Sequence, residues 1–127
     1  MTANIRYIVD DLDRAVEFYE HLGFETKMKP GPGFAMLQHG DLRLYLNTPG
    51  GGGGAGQQLA DGSRPKPGGW NRFQLEVDDV TAEIDRLAAE GVTFRSGVIA
   101  GRGGKQVLAQ DPSGNLVELF QPIEQQA

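Results

Sequence analysis

The residues able to do chemistry in this chain are few. Two histidines, seventeen carboxylates and no cysteine exclude disulfides, thiolate nucleophiles and cysteine-based metal sites, so only His, Asp or Glu could ligate a metal. His21 falls in the last turn of a predicted helix, where partial positive charge suits the helix dipole. His39 precedes Gly40-Asp41 at a predicted hairpin tip. Both read as structural. Asp78 and Asp79 could pass for an acid–base dyad, but like Asp10 and Asp11 they sit between a strand and a helix, where a carboxylate caps the helix N-terminus. The glycine-rich stretches 50–56 and 101–105 lack the Gly-Lys-Ser/Thr ending and the following helix of a phosphate loop. They read as turns, the second a weak anion nest. Ser63, Ser96 and Ser113 occupy turn or strand-end contexts, and none is framed as a nucleophile.

The elements that position these residues are set by an internal repeat. Displaced by 68 positions, Asn4-Ile-Arg-Tyr-Ile-Val-Asp-Asp-Leu12 falls on Arg72-Phe-Gln-Leu-Glu-Val-Asp-Asp-Val80, and the register runs on to Gly23 over Gly91. A repeat of this size means two copies of one supersecondary unit, with pseudo-equivalent positions that can be compared. Ile5, Tyr7 and Val9 alternate with Asn4, Arg6 and Ile8, as Phe73, Leu75 and Val77 do with Arg72, Gln74 and Glu76, so each copy begins with a strand. Apolar stripes at helical spacing follow: Leu12, Ala15, Val16, Tyr19 and Leu22, then Val80, Ile84, Leu87 and Ala88. Gly23 and Gly91 end the two helices. Strands are predicted over Phe24–Lys29, Phe34–His39 and Leu42–Asn47, and again over Thr93–Val98, Lys105–Gln110 and Asn115–Gln121. Each half is βαβββ. Residues 49–69, rich in Gly and Pro, are expected to form a linker or mobile flap. The expected organisation is one domain over 1–127, with module one at 3–48 and module two at 70–122.

A net charge of −5 disfavours nucleic-acid binding, which needs a basic face. No apolar run approaches the roughly 18 residues of a membrane span, and the N-terminal residues lack a signal-peptide pattern. A cytoplasmic protein without nucleic-acid or membrane partners is expected.

Asp-Leu-Asp-Arg-Ala-Val-Glu-Phe-Tyr-Glu-His-Leu-Gly-Phe after the first strand and Asp-Pro-Ser-Gly-Asn-Leu-Val-Glu-Leu-Phe near the end, on paired βαβββ modules, resemble the vicinal oxygen chelate superfamily of glyoxalases, bleomycin-resistance proteins and extradiol dioxygenases. The resemblance implies an α+β fold of two tandem modules whose curled mixed sheet surrounds a cleft. It also implies a divalent metal held between the halves in the enzymes, and frequent homodimers. Its ligand positions, on the first and last strands of each module, map to Asn4, Leu44, Arg72 and Glu118, of which only Glu118 keeps a usual ligand type. Leu44 has no lone pair to offer, and the permanent charge of Arg72 repels a cation. An Arg72–Glu118 ion pair in place of the metal is the expectation.

Alternation then puts Arg6, Ile8, Gln74, Glu76, Leu42, Leu46, Leu116 and Phe120 on the cleft face beside those four, with Trp70 at the mouth of module two either stacking on a ligand or plugging the module's end. Phe34 and Met36 read as packing residues that could add apolar surface. The expected function is metal-independent binding of an apolar or aromatic small molecule, as bleomycin-resistance-type proteins sequester antibiotics. The ligand-binding set is Asn4, Arg6, Leu44, Trp70, Arg72, Gln74, Glu118 and Phe120, with no cofactor. The alternative is a glyoxalase-like lyase or isomerase, or a dioxygenase-like enzyme, with a divalent metal at a rearranged site or with Glu76 or Glu118 as a metal-free acid or base. A third reading is a module that only dimerises or serves as an accessory subunit.

Overall fold

The computed structural model describes residues 1–50 and 54–123; positions 51–53 of the expected linker and 124–127 lie outside the described residues. The chain divides into two compact units, one of Met1–Gly68 with Pro112–Asn115, the other of the remainder. The first carries the βαβββ order predicted from the repeat, and the second carries the same order with one further short strand.

In the first unit the elements are β1 (Ile5–Ile8), α1 (Leu12–His21), β2 (Glu25–Gly31), β3 (Phe34–His39) and β4 (Leu42–Asn47). Asp11 caps α1, its side chain accepting from the Arg14 amide at 3.1 Å. Gly23, at φ +96°, ends the helix: its own amide donates to Glu20 O and the Phe24 amide to Tyr19 O, both at 3.0 Å. The sheet runs β1-β4-β3-β2, with β1 and β4 parallel and the other pairs antiparallel. Pro30 is tolerated in β2 because that strand is the sheet edge, and the β2–β3 pairing shifts register twice. One sheet face meets α1: Val9, Ala35, Leu37, Leu44 and Leu46 are buried with Leu12, Ala15, Val16, Phe18 and Tyr19. Phe18, Tyr19 and Phe24 form an edge-to-face chain with ring centroids 4.8 and 5.7 Å apart.

The second unit repeats this logic with β5 (Arg72–Glu76), α2 (Val80–Ala89), β6 (Thr93–Phe94), β7 (Ile99–Ala100), β8 (Gly104–Gln110) and β9 (Leu116–Pro122). Asp79 caps α2 through the Ala82 amide at 3.1 Å, and Gly91 at φ +87° ends it with the same pair of turn bonds. Asp78–Asp79 is therefore a cap, as read from the sequence, and not a dyad. The order is β5-β9-β8-β6, with β5 and β9 parallel and β7 also on β8. The fold is α+β, as expected, built as two mixed sheets rather than one. Of the predicted α2 stripe, Val80 and Leu87 are fully buried, Ile84 is half-buried and Ala88 is exposed.

Of the strand predicted over Thr93–Val98 only β6, Thr93–Phe94, forms, and the unpredicted short strand β7 follows it at Ile99–Ala100. The Leu108 amide donates to the Ser96 hydroxyl at 3.0 Å, so a side chain substitutes for the main-chain acceptor that a continuous ladder would supply. Within the expected linker the chain makes its own turns: Leu59 N donates to Ser63 O at 2.8 Å, and Asp61 accepts from the Ser63 amide and hydroxyl. Those two bonds hold the Asp61 carboxyl below its ordinary pKa.

Candidate functional site

In each unit the sheet face away from the helix carries the polar groups. In the second unit the parallel register sets Arg72 opposite Leu116, Gln74 opposite Glu118 and Glu76 opposite Phe120, so all six project from one face. Leu108, paired with Glu118 across the antiparallel edge, joins them. Glu118 is the centre of this face. Its Oε1 accepts from Arg72 Nε and Nη2, both at 3.0 Å, and its Oε2 accepts from Gln74 Nε2 at 2.6 Å. Its side chain is only 12% exposed, which makes these bonds necessary: a carboxylate removed from water without partners carries a cost of several kcal/mol. The expected Arg72–Glu118 pair is present, with both guanidinium donors on one oxygen and Gln74 on the other.

In the first unit β1 pairs with β4 as Ile5–Leu44, Arg6–Tyr45 and Tyr7–Leu46. Leu44 is completely buried on the helix-covered face, with Leu46. This corrects the expectation that Leu44, and with it Leu42 and Leu46, lies beside Arg6. The matching of Gly40-Asp-Leu-Arg-Leu44 to Gly114-Asn-Leu-Val-Glu118 is one residue out of register. The residue of module one that pairs with Arg6 as Glu118 pairs with Gln74 is Tyr45. The strict alternation of Leu42, Leu44 and Leu46 with Arg43, Tyr45 and Asn47 carries the signal that separates the two faces. The Arg6 guanidinium lies 5.1 Å from the Tyr45 ring centroid, and Phe34 packs against the same ring at 5.9 Å.

Beside this aromatic pair a cavity of about 970 Å³ opens, lined by Arg6, Phe34, Asn47 and Thr48, the turn Pro30–Gly33, and Gly54 and Ala55. Elements with different causes build its walls. The Pro-Gly-Pro-Gly turn closes the irregular β2–β3 hairpin, and the loop after β4 is folded back by a bond from the Gly50 amide to Gly56 O at 2.6 Å. A Cβ on Gly56 would collide with the Thr48 carbonyl, so that position admits glycine alone. The composition of 49–69 marked these residues as a linker or flap and missed them as cavity wall, because wall contacts depend on a loop path that no periodicity encodes.

The remaining expected residues fall as follows. Asn4 is exposed and precedes β1. Trp70 is 64% exposed and stacks on Arg95, whose guanidinium lies 4.5 Å from its ring centroid. Phe120 is half-buried on the face of Glu118. Glu76 is exposed on that same face, one alternate position beyond Gln74. Thus Arg72, Gln74 and Glu118 are joined by hydrogen bonds, Arg6 lines the cavity of the first unit, and Leu44 belongs to the core.

The positions at which the resemblance implies metal ligands do not suit a divalent cation. Such an ion needs several lone pairs converging at roughly 2.0–2.2 Å, whereas both oxygens of Glu118 are engaged by Arg72 and Gln74, its match in module one is Tyr45, and the two first-strand positions are the neutral Asn4 and the cationic Arg72. No group of three or more His, Asp or Glu side chains able to hold a metal occurs among the described residues. His21 ends α1 near Glu17, and His39 packs its ring 5.3 Å from Phe24.

Comparison with known proteins is consistent with this architecture. A curated protein of Mycolicibacterium smegmatis with no described activity is 28% identical over 119 residues, covering 91% of this chain and 88% of its own length. Among solved structures, TnmS3, an antibiotic binding protein from Streptomyces sp. CB03234, is 26% identical with a TM-score of 0.67, covering 97% of this chain and 98% of that one. A lactoylglutathione lyase from Agrobacterium tumefaciens is 25% identical with a TM-score of 0.71, covering 94% and 92%. The family pattern described as Glyoxalase/Bleomycin resistance protein/Dioxygenase superfamily matches residues 3–119, nearly the whole chain, and the protein belongs to that superfamily.

Proposed function

We propose that this protein binds an apolar or aromatic small molecule without a metal, in the manner of a sequestration protein. The observation that carries this reading is the cavity of about 970 Å³ in the first unit, walled by Pro30, Pro32, Phe34 and Ala55 with few polar groups. That size is at the upper end of ordinary ligand sites, and apolar walls with a few fixed polar groups are their usual make-up. The likeness to an antibiotic binding protein supports the same reading. The face of Glu118 adds a rigid polar network rather than an open coordination site. The proposed binding set is Arg6, Phe34, Asn47 and Thr48 in the first unit, with Trp70, Arg72, Gln74, Glu118 and Phe120 as the candidate set of the second. A homodimer is the proposed assembly.

The test is a thermal-shift screen of chelator-treated protein against a library of apolar and aromatic compounds, repeated with Phe34→Ala. A saturable rise in melting temperature that weakens about tenfold in the variant is expected. A library without a hit, or hits indifferent to Phe34, would sink the proposal.

The enzymatic alternative draws on the likeness to a lactoylglutathione lyase. In it Glu76 is the better proton carrier, since its exposed carboxylate shares a face with Glu118 and makes no hydrogen bond among the described residues. Turnover that persists in chelator and vanishes in Glu76→Gln would support it.

A further inference from the structure

The two modules treat the charges on their helix-free sheet faces differently. In the second unit the Arg72 guanidinium is neutralised by Glu118, and Gln74 completes the carboxylate's hydrogen bonds. In the first unit the position of Glu118 is taken by Tyr45, and Arg6 rests on its ring with no carboxylate partner among the described residues. Arg6 is thus a permanent cation on the wall of a cavity whose other named walls are two prolines, a phenylalanine, an alanine and three glycines, with Asn47 and Thr48 as the remaining polar contributors.

From this asymmetry we infer that the ligand of the cavity carries an anionic group, a carboxylate in the simplest case, on an apolar or aromatic body, and that Arg6 is the residue selecting it. The inference rests on the proposed binding function and adds the chemical class of the ligand. The guanidinium is always charged and planar, so it offers a carboxylate two parallel donors. Its contact with the Tyr45 ring, 5.1 Å from guanidinium to centroid, restrains the side chain, so less freedom is lost when an anion arrives. A chain of net charge −5 repels anions at long range. Selection of an anion must therefore come from a local cation: Arg6 is exposed, and its guanidinium stands beside the apolar walls of the cavity, where a charge-assisted bond adds to the apolar contact of the ligand's body. The apolar body is accommodated by Phe34 and the two prolines, which present flat, hydrogen-bond-free surface.

The experiment compares matched charged and neutral probes by titration calorimetry on the intact protein: 2-naphthoate against 2-naphthamide, and biphenyl-4-carboxylate against its amide. The acids are expected to bind about ten- to a hundredfold more tightly than the amides, which is the range of one hydrogen bond to a charged group. The preference should shrink as salt rises. In Arg6→Met the acids should fall to the level of the amides, while Arg6→Lys retains part of the preference and Arg14→Met, on the exposed face of α1, retains all of it. The comparison within the unmutated protein stands whether or not a variant folds. Equal binding of acid and amide, with both lost in Phe34→Ala, would overturn the anion assignment and leave the binding function intact. Binding of neither class would overturn both, and an acid preference unchanged in Arg6→Met would overturn the role of Arg6.

Discussion

At the scale of single residues, Glu118 decides what the second module's polar face can do. A carboxylate that is mostly buried has three routes to stability: a metal, a proton or a set of donors. Here the donors are Arg72 and Gln74. Arg72→Met removes two of the three bonds and leaves the charge behind. It should lower the unfolding free energy by about 1–3 kcal/mol, the cost of stripping one partner from a buried charged group. Urea denaturation measures this directly. Adding Glu118→Leu to that variant removes the stranded charge and should recover stability to within about 1 kcal/mol of the parent, because a buried ion pair is often replaceable by apolar residues. If the double variant is as unstable as the single one, the pair itself, rather than the unpaired charge, holds the face together. The sequence showed Arg72 and Glu118 as partners because both lie on strands with clear alternation. It misassigned Leu44 because a motif match was weighed above the alternation of Leu42, Leu44 and Leu46 with polar neighbours, and the two hairpin loops differ in length: Gly40-Asp41 against Asp111–Asn115.

At the scale of elements, the cavity depends on the loop that follows β4. Its base is fixed by the Gly50–Gly56 bond and by the flat approach of Gly56 to the Thr48 carbonyl. Gly56→Ala must push these backbones apart and displace Gly54 and Ala55 from the wall. We expect it to weaken binding of a cavity ligand such as 2-naphthoate by at least about tenfold. Gly97→Ala, whose Cβ would meet open space in the second unit, should leave affinity unchanged. An unaltered affinity in Gly56→Ala would mean that this loop does not form the wall. The break between β6 and β7 is a second element-level feature, and its cause is one hydroxyl. Ser96→Ala deprives the Leu108 amide of its acceptor and should cost about 1 kcal/mol, with faster hydrogen exchange at that amide. Elements defined by periodicity and by Asp caps and Gly stops were legible in the sequence. The broken strand and the folded-back loop were not, because each turns on a single local hydrogen bond that leaves no periodic trace.

At the scale of the whole molecule, the repeat separates what the fold needs from what the ligand needs. Positions facing the helices keep one chemistry in both copies: Ile5 with Phe73, Tyr7 with Leu75, Val9 with Val77, each followed by an Asp cap. Positions on the opposite faces diverge, Arg6 against Gln74 and Tyr45 against Glu118. That pattern explains why the architecture could be read from one sequence while the ligand could not: burial constrains the first set to be apolar in both modules, and no such constraint fixes the second. The divergence also bears on metal use, since neither copy now presents the pair of free donors that a divalent ion would need. Chelator-treated protein should therefore show no change in melting temperature beyond about 1 °C on adding Ni, Zn, Mn, Fe(II) or Mg. A metal present at a hundred times its dissociation constant would stabilise the chain by about 2.7 kcal/mol, a shift on the order of 10 °C for a domain of this size, so the two outcomes are well separated. Elemental analysis of the untreated protein provides the second arm, because a tightly held ion could survive chelation. Near-stoichiometric metal in that sample would mean that Glu118 exchanges its Arg72 and Gln74 bonds for a cation, and the metal-dependent lyase reading would then displace the binding one.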